Sequence, residues 1–405
     1  MDTSLKLPHD KFCVLPWVSL ETSPVGTVRP CCLAEDEIVD NQGDKFELTK
    51  SNFIEIIDSD YMKGLRKQFL RGEQPSTCRK CWNEENSGRT SKRMHTLDRL
   101  KHIIGQQDWN EESKSLMFLD LKLGNICNLK CRICGSWSSS SYATEELMEF
   151  KPDERKKTFA YKMLRAGSWP RENSNFWKEI QNHIGNIRYI EFTGGEPFMI
   201  DEHFDMLQSI VDQGIAHQVE IHYNTNGTIF PAQAPSIWKH FKTVEVAFSI
   251  DDIGPRFEYQ RMNASWKEVN DNIAKFKQLQ STMPNLQLQC CSTVNVFNVM
   301  YLGELSVWHK MFKFDFVYWN MLHEAYYFSI GTLPDLAKHY VQKKLESQEV
   351  AVETRKEFDK IIQFMLQGNS LDGSLLREKI KEVDLRRNQD LRNHHREFAL
   401  AIDYE

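Results

Sequence analysis

One stretch, from Leu119 to Cys134, constrains this chain more than any other. Leu119, Leu121 and Leu123 alternate with Asp120 and Lys122, a period of two that marks a strand, and Gly124-Asn125 ends it. Three cysteines follow on the loop after the strand, Cys127, Cys131 and Cys134, spaced C-x3-C-x2-C. Three thiolates on one short loop suit three irons of a [4Fe–4S] cube, which takes four cysteines when fully ligated, and leave the fourth iron open for a small molecule. The competing readings are a zinc site or three unrelated core thiols. Zinc motifs usually join a C-x2-C to a second pair, and none lies just downstream.

Composition narrows the setting. The chain has 405 residues, enough for two or three domains, and its 40% hydrophobic and 27% charged content is that of a soluble globular protein. A net charge of −6 points neither to nucleic acid nor to an anionic membrane. No run approaches the ~20 apolar residues of a spanning helix. The first residues lack the apolar core of a secretory signal, so a cytoplasmic location is expected. There, ten cysteines read as metal ligands before disulfides.

Residues 1–95 hold Cys13, Cys31, Cys32, Cys78 and Cys81. Gly26 marks a turn between short strands at Trp17–Thr22 and Thr27–Arg29, a hairpin that brings Cys13 near Cys31. A helix over about 52–72 returns the chain to Cys78-Arg-Lys-Cys81. Four such thiolates suit a complete [4Fe–4S] cluster or a tetrahedral zinc. Cys31 fits the spacing from Gly26 better than Cys32, and both stay open as the ligand. The polar stretch 83–115 carries Arg89, Lys92, Arg93, Arg99 and Lys101, which read as a solvated helix face.

From Leu116 strand and helix patterns alternate. Strands are expected at 116–123, 187–192, 218–223, 243–250, 287–294 and 314–319, with helices at about 138–149, 201–213, 232–240, 265–281 and 300–313. A charged, aromatic insertion fills 151–185. Repeated β–α units imply a parallel sheet with right-handed crossovers, and chemistry belongs at its C-terminal strand ends. There lie Thr193-Gly194-Gly195-Glu196-Pro197, Asn224 to Thr228, Ser249 with Asp251, and Tyr318-Trp319-Asn320 with His323 and Glu324. The glycines allow close backbone approach, and Ser249 and Asp251 share a direction along the strand. Asp251 also reads as a turn cap, and the Asn226-Gly227 pair as a plain turn. Cys290 and Cys291 are adjacent on one strand, face opposite ways, and read as structural thiols. Helices are expected at 336–346, 350–366, 374–383 and about 385–400, with His394 and His395 solvated.

The C-x3-C-x2-C loop after a first strand, followed by Gly-Gly-Glu-Pro after the second, resembles the radical S-adenosylmethionine (SAM) superfamily. The resemblance implies a partial (β/α)6 barrel at 116–333, after a linker at 96–115. It implies that Cys127, Cys131 and Cys134 hold a [4Fe–4S] cluster whose open iron chelates SAM. Thr193, Gly194, Gly195 and Glu196 then hold SAM's amino group. Ser249 and Asp251 meet its ribose and methionine end, and Arg261, with Arg256 as rival, its carboxylate. Ile133, Val294 and Asn295 contact its adenine. The order C-x12-G-x4-C, then C-x2-C, resembles half of the SPASM motif, the Twitch module, and implies one auxiliary [4Fe–4S] cluster on Cys13, Cys31, Cys78 and Cys81. In most relatives this module follows the barrel; here it precedes it, as in proteins described as N-terminal-Twitch. Residues 334–405 form a C-terminal helical segment.

The expected function is reductive cleavage of SAM to a 5′-deoxyadenosyl radical that abstracts a substrate hydrogen, for oxidative modification of a peptide or protein side chain. A small metabolite or sugar substrate is the alternative, and a non-catalytic iron–sulfur or zinc module is the rival class. A reducing donor such as flavodoxin or ferredoxin is an expected partner; membrane and nucleic acid are not.

Overall fold

The computed structural model describes residues 6–86, 90–105 and 108–405. The first five residues and Arg89, on which expectations above fell, lie outside the described residues. The strands are β1 Ser19–Thr22, β2 Val28–Arg29, β3 Phe118–Lys122, β4 Lys130–Cys131, β5 Tyr189–Thr193, β6 Glu220–Thr225, β7 Thr243–Ser249, β8 Arg261–Met262, β9 Leu286–Val294 and β10 Phe316–Met321. Eight of them form one mostly parallel sheet in the order β10-β9-β7-β6-β5-β3-β1-β2, and β4 pairs with β8 separately. The six strands expected for the β–α units are all present, in chain order from one edge. The fold is α/β, as a partial barrel requires.

The hairpin departs from expectation. Leu15–Val18 is a helical turn, so the first hairpin strand begins at Ser19. The strand does not stop at a local pair with β2. It lies parallel to β3, with Ser19 opposite Phe118 and Thr22 opposite Leu121, and so lengthens the main sheet.

The chain forms two compact units. The first runs to Cys127 and takes in Ser136–Tyr223 and Ala232–Val244; the second comprises Asn128–Gly135, Asn224–Pro231 and Glu245–Glu405. In the first, the two faces of the sheet differ in chemistry because side chains alternate. Leu119, Leu121, Ile190, Phe192, Ile221 and Tyr223 share one face and are buried to 1% exposure or less. Phe192 stacks on Tyr223 at 5.0 Å, and Phe198 and Trp238 close over Tyr223. The other face carries Glu21, Asp120, Glu191 and His222 side by side, each opposite the next in register.

In the second unit, Val294, Val296, Phe297 and Leu302 pack with Val341, Leu345, Phe358, Ile361, Met365, Ile380 and Phe398 in one apolar cluster. The helices Asp335–Ser347, Val352–Gln367 and Ser374–Arg387 supply the later residues. The last helix expected at 385–400 is instead broken. The preceding helix runs on to Arg387, Asn388 turns left-handed, and short helices follow at Leu391–His394 and Arg396–Ala401. His395 is not solvated: it is fully buried among Tyr259, Phe297 and Tyr301, and burial holds its imidazole well below its ordinary pKa. His394 is half-buried and stacks on Tyr259.

Candidate cluster and S-adenosylmethionine site

In the second unit the cysteine loop is held as a strand. Cys131 pairs with Arg261 and Lys130 with Met262 across β4 and β8. Arg132 N donates to the Gln260 carbonyl at 2.8 Å, and Cys134 N to that of Cys131 at 3.1 Å. Cys131 is buried and Cys134 exposed. A hydrogen bond with Cys134 and then the Arg261 guanidinium, against burial, bring the Cys131 thiol down to about 7. Arg261 Nη1 lies 3.7 Å from Cys131 Sγ, and Nη2 donates to Asp251 at 2.6 Å. The other Asp251 oxygen accepts from Thr293 N at 2.8 Å. Asp251 therefore clamps the arginine beside the sulfur. Arg256 is drawn elsewhere, to Asp252 at 3.0 Å and Glu304 at 2.7 Å.

The remaining positions divide. Ile133 is partly buried against the apolar cluster. Asn295 gives its amide protons to Gln260 and Thr293, and its carbonyl oxygen accepts from Phe297 N, so its side chain is used within the unit. Val294 is fully buried, and Ser249 half-buried. Cys290 turns toward His309 and Cys291 toward Asn320, as opposite faces require. The Asn224 to Thr228 turn does more than reverse the chain. Asn226 Nδ2 donates to Asn128 Oδ1, and Asn128 Nδ2 to Thr228 Oγ1, both at 2.9 Å, which ties the turn to the cysteine loop. No periodicity marks Asn128 in the sequence.

In the first unit, the Gly-Gly-Glu segment lies flush against the chain entering Cys127. Gly195 N donates to the Gly124 carbonyl at 3.1 Å and Glu196 N to that of Ile126 at 2.8 Å. A Cβ on Gly195 would fall 2.2 Å from the Ile126 oxygen, and Gly194, at φ +112°, meets Leu123 N in the same way at 2.8 Å. Glu196 is 1% exposed and caps the turn Pro197–Met199 through Phe198 N. Cys127 is buried, its N–H donating to Ser140 Oγ and its carbonyl accepting from Ser141.

Also in the first unit, Cys13, Cys31, Cys78 and Cys81 repel one another as thiolates. Burial and this repulsion push Cys13 and Cys31 up to about 12. Cys78 rises for the same reasons. Cys32, also raised by burial, feels Lys92 and Asp120 on the charged face of the sheet first, then Cys31 and Glu191. Lys92 and Arg93 are not a solvated face. Lys92 lies 3.7 Å from Glu191, and Arg93, 7% exposed, pairs with Glu85 and donates to the carbonyls of Asp10 and Phe12.

Residues 121–286 match the family described as the Radical SAM superfamily, and residues 13–82 match the iron–sulfur cluster-binding domain SPASM. The chain thus carries a radical SAM domain and, before it, a SPASM-type iron–sulfur domain. No curated protein matches it. Among solved structures it is similar to native anSMEcpe with bound AdoMet (16% identity over 65% of this chain and 66% of that one, TM-score 0.37). It is also similar to Streptococcus suis SuiB bound to S-adenosylmethionine (14%, 81% and 68%, TM-score 0.35). SuiB bound to the precursor peptide SuiA matches at 14% over 84% and 71%, TM-score 0.36. This chain thus spans just under two thirds of the length of anSMEcpe.

A radical SAM domain binds S-adenosylmethionine and a [4Fe–4S] cluster, and a SPASM domain an auxiliary iron–sulfur cluster. The residues present fit both groups. The donors are thiols, which suit iron–sulfur clusters. Among the described residues no three His, Cys, Asp or Glu side chains converge closely enough for one metal ion. Arg261 Nε and Thr193 Oγ1 are buried polar atoms with no hydrogen-bond partner in the protein, as a polar ligand's neighbours would be. Among the described residues no helix is long and apolar enough to cross a membrane.

Proposed function

We propose that this chain is a radical SAM enzyme that oxidises a peptide or protein side chain. When bound, the cluster and SAM supply a 5′-deoxyadenosyl radical able to abstract a substrate hydrogen. The observation that carries the reading is the pairing of Cys131 with an Asp251-clamped Arg261, on a chain whose Gly-Gly-Glu segment abuts the entry to Cys127. In this reading Cys127, Cys131 and Cys134 hold the radical-generating cluster. Arg261 stays charged beside it, because Asp251 and the thiols keep its pKa above the ordinary value. Gly194, Gly195 and Glu196 bind the amino end of SAM. The barrel occupies 116–333, with a Twitch-like domain before it and the helical segment after it.

Four thiols for the second cluster leave no ligand position open, which suits an electron acceptor for net oxidation. A flavodoxin- or ferredoxin-type donor supplies the first electron.

The test is SAM cleavage by the anaerobically reconstituted, dithionite-reduced protein. 5′-Deoxyadenosine is expected from the wild type and not from Cys127→Ala. Equal product from both, or none from a wild type with an intact reducible cluster, would overturn the reading. The auxiliary site has its own check in iron and sulfide analysis. Cys31→Ala is expected to lose one cube's worth of iron, about four atoms per chain. Cys32→Ala, whose thiol faces Lys92 and the sheet, is expected to retain it.

A further inference from the structure

The second unit contains a buried ionic network that neither the radical chemistry nor the packing of the helices requires. Arg132 follows directly after Cys131 on the cysteine loop, and its side chain is completely buried. Its Nε donates to the Tyr259 carbonyl at 3.0 Å, and its guanidinium lies 3.7 Å over the Tyr259 ring. Its Nη2 reaches Asp384 and Gln389, residues of the C-terminal helical segment. Asp384 is itself held from several sides. Tyr259 Oη donates to it at 2.9 Å, Leu391 N at 2.8 Å and Tyr404 Oη at 3.0 Å. A carboxylate with this many donors is fixed in place.

A buried ion pair is poor value for stability alone, because desolvation opposes the attraction. Pairing a loop residue with a helix over 250 residues away instead fixes the loop's position and charge. A second guanidinium beside the loop, Arg261 against Cys131, has its own carboxylate partner in Asp251. Asp384 is the carboxylate set against Arg132.

We propose that Asp384 is a positioning residue through which the C-terminal helices hold the cysteine loop and set the electrostatic potential at its cluster. Cys131 is joined to Arg132, so the place of the guanidinium limits the place of the sulfur. An unneutralised buried cation beside a cluster favours its reduced, more negative state. Asp384 therefore holds the reduction potential down, keeping the cluster strongly reducing, and its loss raises that potential. This inference rests on the radical SAM reading of the three cysteines.

The experiment is a redox titration of the reconstituted full-length protein, followed by the electron paramagnetic resonance signal of the reduced radical SAM cluster. Cys31→Ala is the background, so that the auxiliary cluster does not contribute. Asp384→Asn keeps the size and most hydrogen bonds and removes the charge. It is expected to raise the reduced-to-oxidised ratio at a fixed potential about tenfold, a midpoint shift of about +59 mV for one electron. Asp384→Glu is expected to return most of the shift, and Arg132→Gln combined with Asp384→Asn to cancel it.

An unchanged midpoint in an iron-replete Asp384→Asn protein would overturn the proposal, as would a shift that persists in the double variant. If Asp384→Asn does not fold, Tyr404→Phe removes one donor to the same carboxylate and is expected to move the signal's line shape. An unchanged line shape in that variant counts against the proposal. If the parent protein loads no cluster at the three cysteines, the radical SAM reading itself fails, which is a separate result.

Discussion

Gly195→Ala is expected to destabilise the first unit by about 3 kcal/mol and to prevent loading of the radical SAM cluster. The new Cβ would lie 2.2 Å from the Ile126 carbonyl oxygen, 2.6 Å from its carbon and 2.7 Å from that of Asn125. These are backbone atoms, so no side chain can rotate away. Relief requires displacing Asn125-Ile126, the two residues that lead into Cys127, and breaking the bonds from Gly195 N to Gly124 and from Glu196 N to Ile126. Stability and cluster content fall together for that reason. Gly64 is the control. It lies inside the helix Asp60–Leu70, where an added methyl would meet nothing within 4 Å, and Gly64→Ala is expected to stabilise by about 1 kcal/mol. Urea unfolding and iron analysis of the two variants read both effects. Full iron in Gly195→Ala would show that the contact does not govern the loop.

The second large effect is on the pH dependence of stability. Asp120 is 3% exposed, and its Oδ1 is buried with no hydrogen-bond partner in the protein. Burial and the neighbouring Glu191 carboxylate push it up to about 7, against a partial offset from Lys122. The unfolded chain loses this proton near pH 4. Between about pH 4 and 7 the folded chain therefore binds more protons, and stability from this group falls as pH rises through that window. It is fully present at low pH and lost above the folded pKa. Asp120→Asn removes this dependence. The variant is expected to be more stable than the wild type at pH 8, by on the order of 4 kcal/mol, with the gap closing toward pH 4. Unfolding midpoints across that range, run on apoprotein, decide it. Parallel curves for the two proteins would show that Asp120 is charged throughout.

What could be read in advance follows from the range over which each signal acts. β3, β5, β6, β7, β9 and β10 are visible because alternation is local, and the boundaries shift by only a residue or a few. The Gly-Gly-Glu segment is visible because its spacing from the cysteine loop is itself a signal. Three features escape such reasoning. Lys92 and Arg93 lie in a charged run and look solvated, yet the fold turns them inward onto Glu191 and Glu85, and no pattern in the chain marks either pair. His395 sits in a polar string, but the left-handed Asn388 redirects the chain and carries it into the core. The Arg132–Asp384 pair joins residues on elements that share no periodicity. Whether Cys31 or Cys32 faces the other thiols is undecidable from spacing. It depends on which side of the chain meets the charged face of the sheet, and there Cys32 meets Lys92.

The parallel seat of β1 against β3 has a bearing on how the protein is made. Thr22 Oγ1 donates to the Lys122 carbonyl 100 positions later, and four successive residues of β1 find their partners there. Contacts this far apart form late, because the intervening chain must be closed first. On the ribosome the N-terminal segment emerges long before Phe118, and until then its sheet edge is unmatched. The thiols of the first hundred residues thus await a strand synthesised after them. Iron delivered before that strand has docked would meet an N-terminal segment whose sheet edge is still unmatched.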